Sequence, residues 1–340
     1  MKHYAGVDLH CNNNLTLIID EKDRICFQAR LGNHLEEVLG ALEPFRERLR
    51  GVAVESTYNW YWLVDGLQEA DYAVHLVNTT AVKQYEGLKY RGDQSDAFHT
   101  AHLLRLGILP TGFIYPRRWR GVRDLLRKRG HLVRQRTANV LSLQNSYARS
   151  LAWRLSSREV QGLEGERLME HFEDANVGLA AWCALQAIEH LNKLIEVVEQ
   201  RVASQMEKRP QWPWLQSVSG IGEILGLTIV LETGEISRFP TVGSYASYAR
   251  CVESGHYSNG KKKGKGNRKN GNKYLGWAYH EASHYAVRFH RPSQRYYDKK
   301  KARTKDRVAW SALANKLCRA SYFVMRDQVN KGSLQRVCSG

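Results

Sequence analysis

The sequence predicts an α/β domain followed by a mainly helical remainder, and three observations carry that prediction. Short apolar runs at residues 4–10, 15–20, 24–31, 51–55 and 73–77 read as strands set among helical patterns. Beyond residue 116 the apolar positions step by three and four, the period of helices. The chain has 340 residues, enough for two or three domains with cores of their own.

Taken in order, 4–10 is a buried strand ending near a carboxylate, Asp8, and the turn-prone Asn12-Asn13-Asn14 leads into the strand 15–20. The run 24–31 is a third strand, with Asp23 in the turn before it. Residues 35–49 have helical spacing through Leu35, Val38, Leu39, Leu42 and Phe45. The strand 51–55 again ends in a carboxylate, Glu55. A helix through Trp62, Leu63 and Leu67 precedes the strand 73–77. A last helix opens at Asp93, with Ala97, Ala101, Leu104 and Ile108 at helical spacing. Three strands in a meander, then helix, strand, helix, strand and helix, is the order of a ribonuclease-H-like fold.

Four acids fall at telling places in that order: Asp8 on the first strand, Glu55 at the end of the fourth, and Asp93 and Asp96 one turn apart on the last helix. Carboxylates gathered in this way repel one another unless a cation joins them. A hard ion such as Mg2+ takes carboxylate oxygens and keeps positions open for phosphate. Two such ions suit phosphoryl transfer. An acidic first turn or a strand-end acid is, by itself, also ordinary helix and strand decoration. His99 and His102 stand on the same helix, but Mg2+ sites favour oxygen. His10, and the aromatic group Tyr58, Trp60, Tyr61 and Trp62, could touch nucleic acid or simply pack.

The formal net charge of +17 and pI of about 9.6 point to a polyanionic partner, most simply nucleic acid. No apolar run is long enough for a membrane span, and no signal peptide is visible. The six cysteines form no CxxC pair, which suits free thiols in a reducing cytosol. Arg117, Arg118, Arg120, Arg123 and Arg127 head a long, basic, amphipathic helix expected to meet phosphate. Ile188, Leu191, Ile195, Val198 and Val202 form a short coiled-coil seam, within the chain or across a dimer. Gly220-Ile221-Gly222 resembles a helix-hairpin-helix turn whose amides can hold a phosphate, though such a turn also serves plain helix packing. Ser254 sits beside Gly255, ahead of Lys261, Lys262, Lys263, Lys265, Arg268, Lys269 and Lys273. That Gly/Asn/Lys stretch reads as a flexible clamp that orders on a nucleic-acid backbone.

Together, Gly6-Val7-Asp8, Val54-Glu55-Ser56-Thr57, Asp93-x-x-Asp96-Ala97, Ser219-Gly220-Ile221-Gly222 and Glu253-Ser254-Gly255 resemble one family across nearly the whole chain. It is the DEDD transposases of insertion sequences, related to the Piv DNA invertase, whose members are bridge-RNA-guided recombinases. The resemblance implies a RuvC-like domain over 1–115, a helical coiled-coil segment over 116–210, and a mainly helical transposase domain over 211–340. It implies that Asp8, Glu55, Asp93 and Asp96 hold Mg2+ while Ser254 attacks a DNA phosphate to form a phosphoserine link. It further implies donor and target DNA, a guide RNA, a dimer or tetramer, and a prokaryotic cytoplasm. Two other readings stay open: a RuvC-like Mg2+-dependent structure-specific endonuclease in which Ser254 is structural, and a non-catalytic nucleic-acid-binding scaffold.

Overall fold

The computed structural model describes residues 1–82, 85, 93–206, 211–252, 255–258, 261–265 and 270–328. The chain divides into two compact units, Met1–Arg117 and Arg118–Gly340.

The first unit is built on five strands, β1 (His3–Leu9), β2 (Asn13–Asp20), β3 (Ile25–Gly32), β4 (Leu49–Glu55) and β5 (Val74–Val77), in the order β3-β2-β1-β4-β5. The first three pair antiparallel, and β4 and β5 continue the sheet parallel to β1. Alternation along β1 and β4 divides the residues between two faces. Ala5, Val7, Leu9, Val52 and Val54 share a core with α1 (Leu35–Leu42) and α2 (Tyr61–Glu69). Tyr4 lies on the opposite face with Leu15, Leu17 and Ile19 of β2, under Ala97 and Ala101. Those alanines belong to α4 (Asp93–Arg105), which follows the short α3 (Thr79–Val82).

Two boundaries differ from the sequence expectation. The helix expected over 35–49 stops as an α-helix at Leu42 and continues as a 3-10 turn over Glu43–Arg48. Pro44 lacks an N–H and crowds the carbonyl four residues back, so an α-helix cannot run through it. The helix expected to reach Ile108 ends at Arg105. Gly107 is left-handed there (φ 72°) and Ile108 is exposed, while Leu103 takes a fully buried place.

The second unit is helical. Its long α5 (Arg117–Leu151) is followed by α6 (Ser157–Gln161), α7 (Gly165–Leu168) and a second long helix, α8 (Ala175–Met206). Arg129 pairs with Glu199, and Arg136 donates to Asn192. A step of seven forward on α5 is thus a step of seven back on α8, so the two helices run antiparallel. The coiled-coil seam of the sequence is therefore satisfied within the chain. Beyond α9 (Gln211–Leu215), α10 (Glu223–Thr233) is buried on every side from Leu225 to Thr233. It packs among α11 (Val242–Tyr248), α12 (Lys273–Phe289), α13 (Arg291–Lys301) and α14 (Asp306–Asp327). Inside that core Tyr245 bonds to Thr233 at 3.0 Å and to Tyr279 at 2.7 Å. Burial pushes both phenols well up, so they serve as neutral hydrogen-bonding groups. No helix among the described residues is long and apolar enough to cross a membrane.

The segment after residue 254 is not the structureless loop that its composition suggests. Strands β6 (Gly255–Ser258) and β7 (Lys261–Lys265) form an antiparallel hairpin with a bulge at His256/Tyr257.

The seating of α4 on the sheet is tight. A methyl group at Gly6 would collide with the backbone carbonyl of Ala97 and lie 2.8 Å from Thr100 Oγ1. Gly6→Ala should therefore destabilise the protein by roughly 1–3 kcal/mol, the usual cost of overpacking. A thermal melt followed by circular dichroism checks this, and an unchanged melt would contradict the packing of α4 on β1.

Candidate active site

Two fixed points orient α4. Near its middle, Ala97 lies on Gly6 of β1. At its far end, Arg105 grips Asp23 with Nε and Nη2, both at 2.6 Å, and His102 Nδ1 lies 2.8 Å from the same carboxylate. Asp23 sits in the β2–β3 turn, beside the start of β1, because His3 pairs with Asp20. The N-terminal end of α4 therefore points towards the C-terminal ends of β1 and β4. Two residues of strand from Gly6 to Asp8 span about 6.6 Å. Four residues of helix from Ala97 back to Asp93 span about 6 Å. The acidic head of α4 is level with Asp8.

Asp8 follows Gly6 by two and so faces α4. Glu55 alternates with the inward-facing Val54 and lies on the same face, one residue beyond the parallel pair Val7↔Val54. Asp8 is 6% exposed and His10 Nε2 lies 3.4 Å from its Oδ2. Glu55 and Asp96 are half-buried. Asp93 heads the helix, but its side chain lies outside the described residues. The donor set is all carboxylate, which suits a hard divalent cation, and the missing Cβ at Gly6 is what lets α4 bring its acids to the strands. Among the described residues no three His, Cys, Asp or Glu side chains are close enough together to hold an ion by themselves.

The strand ends are pinned by asparagines that the sequence reading passed over. The carbonyl of His10 accepts from Asn33 Nδ2 at 3.0 Å and from Asn59 Nδ2 at 2.9 Å. Thr57 Oγ1 donates to Asn59 Oδ1 at 2.9 Å, and Thr57 N donates to Glu55 O at 2.9 Å. The loop after Glu55 is thus tied to the strand end that carries Asp8. Only the local Thr57-Tyr58-Asn59 turn chemistry signals this in the sequence. Of the aromatic group, Trp60 and Trp62 pack against the core, while Tyr58 is 82% exposed beside the site. His102 is engaged with Asp23, which gives it a structural role.

The basic residues divide. Arg118 is exposed, and Arg117 pairs with Glu69. Arg120 is only 3% exposed. Arg123 lies half-buried, 3.7 Å from Asp124. Arg127 bonds Glu232 through Nε at 2.6 Å and Nη2 at 2.8 Å. Burial works against the charge of Arg127, but the carboxylate more than offsets it and raises the guanidinium above its ordinary value. The five arginines are thus not equally open to solvent: Arg120 is buried, and Arg117 and Arg127 are engaged with carboxylates. At Gly220 the backbone of α12 comes close, with the Ala282 carbonyl nearest to where a Cβ would be and Ala286 N 2.7 Å from it, whereas Gly222 stands open at the head of α10. Lys261, Lys263 and Lys273 are exposed. The side chains of Lys262 and Lys265, and all of Arg268 and Lys269, lie outside the described residues, as does Ser254. The chain on either side of Ser254 is held: Cys251 O accepts from Asn315 Nδ2 at 3.0 Å, Arg250 Nε donates to Asn270 O at 2.8 Å, and Asn272 N donates to Tyr248 O at 2.6 Å.

Two family models match this chain. Residues 5–146 match a DEDD model of the IS110 type, described as a transposase. Residues 213–298 match the model described as Transposase IS116/IS110/IS902 family. Together they support an IS110-family transposase. Such a transposase of an insertion sequence cuts and rejoins DNA, and its DEDD type implies divalent metal ions, usually Mg2+. A comparison with curated proteins finds no match. The first matched region contains the four acids, and the second contains Ser254 and the basic hairpin.

Asn59→Ala should leave folding nearly intact, since one hydrogen bond contributes about 0.5–1.5 kcal/mol. It should slow Mg2+-dependent DNA cleavage by roughly 10–100-fold through misplacement of the strand ends. Cleavage rates measured beside a thermal melt check this; wild-type rates would remove Asn59 from the positioning of the site.

Proposed function

We propose that this transposase is an RNA-guided DNA recombinase in which a RuvC-like ribonuclease-H unit holds two Mg2+ ions and Ser254 is the nucleophile. The observation that carries the reading is the placement of Asp8, Glu55 and the acidic head of α4 on one sheet face. Asp8, Glu55, Asp93 and Asp96 would hold the metal, which supplies charge neutralisation at the reacting phosphate. The carboxylates place that charge at the strand ends, and the packed face beneath them excludes water from one side. Ser254 Oγ bonds to phosphorus as one P–O bond to deoxyribose breaks, leaving a free sugar hydroxyl. Attack by a sugar hydroxyl on the phosphoserine reverses the exchange and rejoins the strand. One phosphodiester replaces another, so the exchange needs no external energy source.

The stretch around Ser254 is a candidate for this role, because the described chain on both sides of it is pinned and β7 carries Lys261 and Lys263 as exposed cations that could meet a phosphate backbone. The division into domains over 1–115, 116–210 and 211–340 belongs to the same reading, as do the guide RNA, an assembly of two or four copies, and phosphate binding at Gly220-Ile221-Gly222. A second reading, a metal-dependent structure-specific nuclease, draws on the acids alone and needs no serine.

Protein, Mg2+, the RNA transcribed beside its gene and labelled cognate DNA should yield a DNA-linked protein band on a denaturing gel. Ser254→Ala and Asp8→Asn should each abolish the band, and chelation of the metal should do so reversibly. Cleaved DNA without an adduct, unaffected by Ser254→Ala, would establish the nuclease instead.

A further inference from the structure

A cavity of about 420 Å³ opens between α5, α10 and α12 in the second unit. That volume lies in the range of about 300–1,000 Å³ typical of small-ligand sites. Its floor is electrically balanced. Glu232, 3% exposed, accepts two bonds from Arg127 and a third from Asn272 Nδ2 at 2.7 Å. Arg129 is likewise matched, with Nη2 2.6 Å from Glu199. The rim is different. Arg134 on α5 and Lys273 on α12 are exposed cations on facing walls, and neither meets a carboxylate among the described residues.

The wall also carries aromatic surface. The ring of Tyr274 already has the Arg127 guanidinium at 4.5 Å and the Lys273 ammonium at 5.2 Å. Trp277, one turn along α12, is 42% exposed. A large indole left open to solvent in a cavity, between two free cations, suits a flat ring that carries an anion. A balanced, hydrogen-bonding floor suits a neutral ring edge better than a second charge.

We infer that this pocket receives one unpaired nucleotide of a single-stranded nucleic acid, with its base stacked on Trp277 and its phosphate between Arg134 and Lys273. The inference rests on the nucleic-acid reading of the preceding section and adds a subsite to it. A base inside a duplex has both faces stacked and cannot enter without leaving the helix, so the pocket discriminates for single strands. Its position supports the role: Asn272, which caps α12 through Tyr274 N and Leu275 N, closes the segment containing the basic hairpin and also bonds the pocket floor.

Fluorescence anisotropy with the full chain tests this on labelled single-stranded DNA and RNA of about 12 nucleotides and on the matching duplex. Trp277→Ala should weaken binding of at least one single strand by roughly 5–100-fold, the value of one stacked base. Duplex affinity should be unchanged, and Trp277→Phe should keep most of the single-strand affinity. Arg134→Ala and Lys273→Ala should weaken the same strand. Whether DNA or RNA shows the loss identifies the source of the nucleotide. Equal loss for duplex and single strand, or loss for neither, overturns the inference. Circular dichroism melts of the variants establish that they fold. The two readings fail separately: no serine adduct would leave a Trp277-dependent single-strand affinity standing. An adduct formed by a protein whose single-strand binding ignores Trp277 would remove the pocket alone.

Discussion

The approach of α4 to Gly6 is the constraint on which the first unit depends. Helices usually rest on a sheet through intervening side chains. Here the carbonyl of Ala97 occupies the space where a side chain of β1 would stand. The helix is thereby drawn down onto the strand that carries Asp8, and its small residues Ala97 and Ala101 keep the approach possible along its length. The grip of His102 and Arg105 on Asp23 fixes the other end, so that the helix can neither slide nor swing. A buried carboxylate such as Asp8 is costly to keep charged without a counterion. Further acids at its level raise that cost, and a cation held among them would relieve it.

The second unit solves a different problem with the same economy. Its central helix, α10, is apolar on nearly every side, yet it ends in Glu232, a carboxylate in the core. Both oxygens of that carboxylate are used, by a guanidinium from α5 and an amide from the cap of α12. Removing Arg127 would leave a buried charge without a counterion, a far larger penalty than loss of an exposed pair. One carboxylate thus joins three helices and fixes the point at which the chain returns from the hairpin. The described residues on either side of the hairpin, Arg250, Cys251 and Asn272, are held to this core by their own hydrogen bonds.

The strand order and the acids at strand ends were legible in the sequence because they depend on local patterning: period-two runs, turn residues between them, and carboxylates at the run ends. The misplaced end of α1 shows the limit of periodicity, since Leu42 and Phe45 keep a helical spacing across a proline that forbids the α-helix. The β6–β7 hairpin was illegible for the opposite reason. Its strands read Gly-His-Tyr-Ser and Lys-Lys-Lys-Gly-Lys, without apolar alternation and with lysine and glycine depleted in strands, and the pairing is made by the backbone. The dual role of Arg127 could not be read either. Its partner Glu232 is 105 positions away, and nothing in an arginine-rich run distinguishes the one turned inward. Asn59 escaped notice because a turn asparagine has many local uses, and only the fold brings the carbonyl of His10 to it.

That division of the arginines alters what the net charge means. In a sequence, +17 is one number; in the structure, a part of the positive charge on α5 is cancelled by Glu232 and Glu199 on neighbouring helices. The cancelled charges are those that hold α5 to its own unit. Of the remainder, Arg118, Lys128 and Arg134 are exposed. From Arg118 to Arg134 the helix rises about 24 Å at 1.5 Å per residue, and at about 100° per residue these cations project in different directions around it. The fold therefore separates the cations that tie α5 to its own unit from those left at the surface. A polyanion drawn to the surface cations would meet charges that the protein does not need for its own stability, and so recognition and folding need not compete for the same residues.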